Sequence, residues 1–536
     1  MAPVQSPLKL NLYFNGSDVP YVSLEEWKDL FVMLMSANAG EDEQGFVLSY
    51  ETDGDKAVLK RDFGDGIVYP MEFDFAADTI HLMDYNVFFS MDKDSPLIPL
   101  MDMDEGFVRT AENGNEIAGD EITFDLSSYD IDMIHQGDQY YVPFQTVTDI
   151  FSAQQPYTIS YNGEAIFISS GEMFYDDDSQ LTAFGEIYYS APAKERSEAL
   201  GKYTCNELCF LLDHFYGLKE NHGITSFDRL FDNNGFREHL AGTDPTVSDA
   251  LLYRTIHYIL NDQHSKYLAC SPLSGGEYTA KLTKQFGQGP CREETFRTLA
   301  ELSAARSQYY PDGIPAYEEI GNTAYITFDN FTKPTRNYKE SPATAEDRDT
   351  IGIISYSIGQ ILREDSPVQN VVLDLSQNVG GAAPAAAYVL SAFLKDANLS
   401  VRDTMTHAMA TYTYMADTNL DGTFDEADTL AGKGLHLFCL TSKASFSCAN
   451  LVPCVFKQSG NVALIGHQTG GGACTITPMA SADGSLFRTS SNMQLSFMHN
   501  GSFYNVDQGV EPDYFIHDLS FLYDRKGLTA YLNELR

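Results

Sequence analysis

Positive charge is scarce in this 536-residue chain: 34 Lys and Arg stand against 76 Asp and Glu, a formal net charge of −42. Such a balance repels phosphate backbones, and no Lys/Arg cluster offsets it locally, so nucleic-acid binding is disfavoured. Long apolar runs are also missing. None reaches the roughly 18–20 residues a helix needs to span a bilayer. The 8 cysteines form no CxxC pair and no Cys/His cluster with metal spacing, which argues against a zinc site. Cys205 and Cys209, one helical turn apart, suit core packing. A chain of this length buries a large core and is expected to split into two or three domains.

What the chain does have is a serine cluster, Thr441-Ser-Lys-Ala-Ser-Phe-Ser447-Cys-Ala-Asn450, between the strand-like Leu435–Leu440 and the apolar Leu451–Phe456. A hydroxyl at the start of a helix meets unpaired backbone N–H groups and the positive end of the helix dipole, both of which favour an oxyanion. Ser447 is therefore a candidate nucleophile, against the commoner alternative of a helix N-cap. Two other segments bear on that choice. Asn370–Leu375 reads as a buried strand that runs through Gly380-Gly381 into a helix, Ala382–Leu394. Glycines at such a turn allow close backbone approach and leave N–H groups for an anion. Tyr258-Ile-Leu-Asn-Asp-Gln-His264 places a histidine just after an apolar helix. Serine, histidine and an exposed Gly-Gly turn are the minimum parts for acyl transfer.

These segments resemble the S41 serine peptidases, the family of tail-specific (C-terminal processing) and tricorn-like proteases. Asp374-Leu-Ser-Gln-Asn-Val-Gly-Gly381 is similar to that family's Asp-Leu-Arg-x-Asn-x-Gly-Gly, and Ser445-Phe-Ser447-Cys-Ala-Asn450 to its Ser-Ala-Ser-Ala-Ser-Glu. Ala463–Gly470 resembles Val-Val-Gly-Glu-x-Thr, Gly509-Val-Glu-Pro-Asp513 matches Gly-Val-x-Pro-Asp, and Asp262-Gln-His264-Ser265 looks like the Asp-x-His-Ser of the histidine-using branch. The resemblance runs over roughly residues 190 to 520. It implies an α/β catalytic core, a mainly parallel sheet with flanking helices of the S41/ClpP-crotonase-like kind, acting on a peptide or protein substrate. It implies Ser447 as nucleophile and His264 as general base. The oxyanion hole falls to Gly381 and Cys448 beside Gly380, with Asp507, then Glu511, as the acid orienting the imidazole and Ser265 as a helper. The chain departs from the family where a lysine base would stand, which is Gly472 here, and Asn450 replaces the glutamate after the nucleophile. The stretch between His264 and Thr323 is too short for an inserted PDZ domain. Cys448 is a rival nucleophile. The alternative reading of the whole chain is an inactive relative that serves as a surface binding protein.

A separate signal is Asp417-Thr-Asn419-Leu-Asp421-Gly422-Thr423-Phe-Asp425-Glu-Ala-Asp428. Oxygen ligands fall at positions 1, 3, 5, 9 and 12, with glycine at 6 and the Thr423 carbonyl at 7, the spacing of an EF-hand calcium loop. Asp428 stands where a bidentate glutamate is usual. A structural Ca2+ is expected in an isolated loop inserted between the Gly-Gly helix and the nucleophile strand. Met1-Ala-Pro-Val-Gln-Ser6 carries no signal-peptide pattern, which leaves a cytosolic protein or one whose export signal has been removed. The resemblance and the calcium loop favour an extracellular or cell-envelope location.

Residues 1–172 read as an N-terminal α+β accessory region of one or two modules. Pro20–Phe31 and Tyr140–Phe151 resemble each other, and an Asn162-Gly163 turn suggests a hairpin. Residues 173–315 read as a helical subdomain carrying His264, with Ser248 or Asp249 capping its helix 247–260. Residues 316–536 alternate strands and helices and form the catalytic core. Cleavage preference and oligomeric state are not legible.

Overall fold

The computed structural model describes residues 9–38, 45–90, 93–94, 96–97, 106–110, 114–170, 184–191, 195–395 and 397–535. The expected boundary at 172/173 lies outside the described residues. The fold combines mixed sheets with helices. No helix among the described residues is long and apolar enough to cross a membrane.

Six strands form the central sheet in the order Tyr317–Ile320, Thr323–Thr327, Asn370–Asp374, His436–Thr441, Val462–Gly466 and Tyr514–Phe515. The first pair is antiparallel and every later pair parallel. Side chains alternate between the two faces with period two. Ala324, Ile326, Val371, Leu373, Leu437, Cys439, Val462 and Leu464 share a core with helices Thr350–Ile361, Ala383–Phe393 and Cys448–Ser459. Tyr325, Val372, Phe438, Leu440 and Ile465 face the other way, onto helices Pro290–Tyr309 and Arg525–Glu534. Burial on both faces is why these strands read as unbroken apolar runs rather than as polar/apolar alternation.

One carboxylate interrupts that apolar interior. Asp374 ends its strand buried, with Arg525 of the last helix donating to Oδ2 at 2.6 Å and the Ser376 hydroxyl and N–H donating to Oδ1. Burial alone raises a carboxyl pKa, but Arg525 and then Arg306 hold Asp374 below its usual value. The pair ties the C-terminal helix to the centre of the sheet.

A second, seven-stranded sheet packs beside the first. Lys266–Ala269, Leu486–Ser496, Ala397–Asp403 and Met409–Ala416 are successive antiparallel neighbours in it. Val108–Thr110 and Asn115–Ile117 from the N-terminal region both pair with Met409–Ala416, so that region shares a sheet with the catalytic part. Its two look-alike segments each form a strand leading into a helix: Tyr21–Ser23 into Leu24–Asn38, and Gln139–Pro143 into Phe144–Ser152. They pair antiparallel with each other, and Val22 lies opposite its own counterpart Val142. The counterparts Phe31 and Phe151 meet 5.2 Å apart. The two segments therefore build one pseudo-symmetric unit, as an isologous dimer contact would. The Asn162-Gly163 turn joins Tyr157–Tyr161 to Ile166–Ser170, with Asn162 accepting from the N–H groups of 164 and 165.

The helical segment packs into the same core as the N-terminal unit. Helix Glu198–Phe215 is capped by Ser197, and helix Pro245–Arg254 by Asp244, which accepts from the Thr246 N–H. The cap expected at Ser248 or Asp249 is therefore four or five residues too late. Pro245 occupies the first helical turn, where its missing N–H costs nothing. Asp249 instead accepts from the hydroxyls of Tyr267 and Ser485.

Candidate active site

Helix Pro245–Arg254 continues as a π-helical turn, Thr255–Leu260, and stops at Asn261, whose φ of 45° reverses the chain. The short segment that follows carries His264. Asp262 folds over it: Oδ1 accepts from the Ser265 N–H at 2.8 Å and the Ser490 hydroxyl at 2.9 Å. Oδ2 accepts from the Ser265 hydroxyl at 2.6 Å and the Tyr216 hydroxyl at 3.1 Å. Arg292 donates to the carbonyls of Gln263 and Ser265, and Arg488 to that of His264. The backbone around the imidazole is thus held from three sides.

His264 itself is buried, and its Nδ1 has no partner among the described residues. Burial pushes the imidazole pKa down to about 4; Asp262 opposes the shift, while Arg488 and Arg292 add to it. The ring is therefore neutral near pH 7, the form a base needs. Its nearest aromatic neighbour is Phe446, edge-on at 4.6 Å.

Ser447 begins helix Cys448–Ser459 with φ 58° and ψ −122°, in the region where a side chain is strained. It makes no capping bond, and its hydroxyl has no partner among the described residues. The N-cap alternative is excluded on that ground. The Ser447 N–H donates to the Gly471 carbonyl, which fixes the turn. Strands Asn370–Asp374 and His436–Thr441 run parallel side by side, so the Gly-Gly turn and the Ser447 turn leave the sheet at the same edge. A Cβ on Gly380 would stand 2.7 Å from the Ser447 Cβ, and one on Gly381 would strike the Phe331 carbonyl. Only glycine allows this approach.

The N–H groups of Gly381 and Cys448 have no partner among the described residues. That of Gly380 is committed to the Asn378 side chain at 2.9 Å. Gly380 thus serves the close approach and not the donor pair. The Cys448 thiol donates to the Gly381 carbonyl, and burial pushes its pKa up to about 12. A thiol held protonated in this way is a poor nucleophile.

Neither acid expected from the sequence hydrogen-bonds His264. Glu511 is exposed, and its carbonyl accepts from Lys457. Asp507 accepts from the Ala473 N–H and is raised first by burial and then by Asp262. Asp262 is the carboxylate that acts on the imidazole, and the Asp-x-x-Ser spacing of a side-chain-to-backbone turn was its trace in the sequence. Asn450 also has a position the sequence did not disclose. It is buried, donates to the Val506 carbonyl at 2.8 Å and accepts from the Thr469 hydroxyl, which in turn accepts from the Val510 N–H. It clamps segment 506–510 onto the nucleophile helix. Gly472 lies against Phe446, with no room for a side chain.

Asp417 is buried, with Oδ2 accepting from the Gly422 N–H at 3.0 Å. Asn419 accepts from the Asp421 N–H, Asp421 from the Thr423 N–H, and Asp425 from the Ala427 N–H. Asp428, expected to chelate, instead accepts from the N–H groups of Thr418, Asn419 and Asp425. Being shorter than glutamate, it closes the loop from inside. Among the described residues no three His, Cys, Asp or Glu side chains are gathered as a metal would hold them.

A serine hydroxyl on a strained strand-to-helix turn, at the sheet end where the Gly381 and Cys448 N–H groups have no partner among the described residues, is an arrangement of the kind serine hydrolases use. Residues 322–516 match Peptidase family S41. Over that segment, a little more than a third of the chain, it is similar to the S41 peptidases. Among solved structures it is similar to the photosystem II D1 C-terminal processing protease, at 19% identity, covering 39% of this chain and 46% of that one, TM-score 0.29. It is also similar to a lipoprotein from Streptococcus agalactiae, at 16% identity, covering 62% and 96%, TM-score 0.34. A third is mature CPAF complexed with lactacystin, at 12% identity, covering 63% and 98%, TM-score 0.38. At these scores the likenesses carry no argument of their own, and the chain spans less than half the length of the processing protease. No curated protein sequence matches it.

Proposed function

We propose that the chain hydrolyses peptide bonds with Ser447 as nucleophile and His264 as general base. The Ser447 Oγ attacks the scissile carbonyl while its proton passes to the imidazole. The developing oxyanion is met by the N–H groups of Gly381 and Cys448. The imidazolium then protonates the leaving amine, and water repeats the sequence on the acyl-enzyme. Asp262 holds the histidine segment and stabilises the imidazolium, in the place the sequence reading gave to Asp507 or Glu511. The observation that carries this reading is the Ser447 turn: strained backbone, unpaired hydroxyl and two unpaired N–H groups at one sheet edge.

Phe446 stands against His264, and no Ser447–His264 hydrogen bond is present in this conformation. That arrangement favours a second reading, an inactive relative that binds peptide. The two separate in one experiment. A fluorophosphonate probe labels Ser447 in the folded chain and fails on Ser447→Ala, and on His264→Ala the labelling rate falls at least about 1,000-fold. Folded protein that takes no label, or a His264→Ala variant labelled as fast as the parent, rejects the serine–histidine mechanism.

A further inference from the structure

We propose that the loop 417–428 is a calcium site, and that its cation is held by Asp417, Asn419, Asp421 and the Thr423 carbonyl while Asp428 acts as a clasp. The argument starts from an oxygen that the fold leaves unpaired. Asp417 is fully buried at the end of strand Met409–Ala416. Its Oδ2 accepts from Gly422, but its Oδ1 is enclosed without a partner among the described residues. Leaving a buried carboxylate oxygen bare costs about 1–3 kcal/mol, more when it is charged. Because Oδ2 is bonded to the N–H of Gly422, five residues on, the carboxylate is turned toward the loop that it opens, and its other oxygen is left to a ligand there.

Charge points the same way. Asp417, Asp421, Asp425 and Asp428 lie within twelve residues, and none has an ion-pair partner among the described residues. The one ion pair in the segment joins Lys395 to Glu426. Four like charges without ion-pair partners repel one another, and a divalent cation relieves that repulsion. All the available ligand atoms are oxygens, which suits a hard cation and gives no purchase to zinc or copper. Six or more flexible oxygens fit calcium, whereas magnesium demands a near-octahedral set.

The side chains that must move are those free to do so. Asn419 and Asp421 are exposed, and each accepts from an N–H two residues ahead, so a small rotation turns them inward without disturbing packing. The base of the loop is already rigid. Ser355 donates to the Thr418 carbonyl at 2.8 Å, the Asp417 N–H donates to the Phe107 carbonyl, and Arg109 stacks on Phe424. Asp428 fastens the two ends together from within.

The test is calcium itself, titrated by calorimetry into the chelator-treated full chain, beside magnesium and beside the Asp421→Ala and Asp417→Asn variants. Saturable binding of one Ca2+ is expected, with a rise in Tm. Asp421→Ala should weaken binding at least tenfold, and a cooperative calcium-free unfolding transition shows that the variant is folded. Three results would each overturn the proposal: no binding at about 10 mM calcium, magnesium binding as tightly, or equal affinity in both variants. Calcium affinity is read without any substrate, so a chain that fails to label at Ser447 leaves this test intact.

Discussion

The turn at Ser447 and the loop 417–428 follow neighbouring parts of the chain, yet they leave opposite groups unpaired. At Ser447 these are donors, the hydroxyl and the N–H groups of Gly381 and Cys448. At Asp417 it is an acceptor, a single carboxylate oxygen. The first arrangement calls for negative charge and the second for positive charge. Asp374 supplies the control. It too is a buried aspartate at a strand end, but Arg525 and Ser376 satisfy both of its oxygens, and nothing remains to recruit a ligand. Buried polar groups report function through what the fold leaves unanswered, and report architecture where it answers them fully.

Changes at each place should separate these roles. Arg525→Ala is expected to have the largest effect on stability, a loss of about 3–5 kcal/mol in urea unfolding, because it strands Asp374 in the sheet interior. A variant that unfolds like the parent would show that Asp374 is not the architectural case claimed for it. Gly381→Ala should lower kcat/KM by about 100–1,000-fold, since the added methyl drives the turn off Phe331 and misplaces one oxyanion donor. Peptide affinity should change far less; a KM effect alone would assign the turn to binding.

Asn450→Ala should cost about 1–3 kcal/mol, because the Thr469 hydroxyl and the Val506 carbonyl lose their shared partner. Its effect on activity should exceed that of a surface mutation, as segment 506–510 loosens against the nucleophile helix. Equal activity in a destabilised variant would remove Asn450 from the positioning of the site.

A further effect is one of pH. The folded pKa of His264 lies near 4, below the usual histidine value, so the unfolded chain binds its proton first as the pH falls. The stability contributed by the buried neutral imidazole is complete above about pH 6.5 and declines toward pH 4. His264→Gln should flatten that part of the stability profile. For the active parent, the acid limb of kcat/KM should fall below pH 6.5, toward pH 4. A limb at 6.5 or above would mean that the imidazole titrates in solvent, outside the packing seen against Phe446.

Much of the site could be read from residues alone because its signals are local. Gly380-Gly381, the serine cluster and the Asp-x-Asn-x-Asp-Gly loop depend on turns and caps only a few residues long. The strands around them were visible for a related reason: burial on both faces makes them continuous apolar runs. The helix start at Asp244 was missed because Ser248 and Asp249 are equally good capping types, and only Pro245 discriminates. The place of Asp262 beside the imidazole was harder to read, because the Asp262-Gln-His264-Ser265 pattern does not say where the carboxylate turns. Its partners, Tyr216 and Ser490, are remote in sequence.

The amino-acid order by itself determined which segments are strands and helices, the net negative charge, and the hydroxyl, imidazole and carboxylates available for chemistry, because these follow from periodicity, propensity and composition. Tertiary structure alone decided which of those groups stay unpaired. It gave Asp374 to Arg525, Asp428 to the loop backbone and Asp262 to the histidine segment, and it left the Ser447 hydroxyl and one oxygen of Asp417 without partners among the described residues. Hydrogen bonds and ion pairs join residues far apart in the chain, and pairing is settled only when packing brings them within about 3 Å.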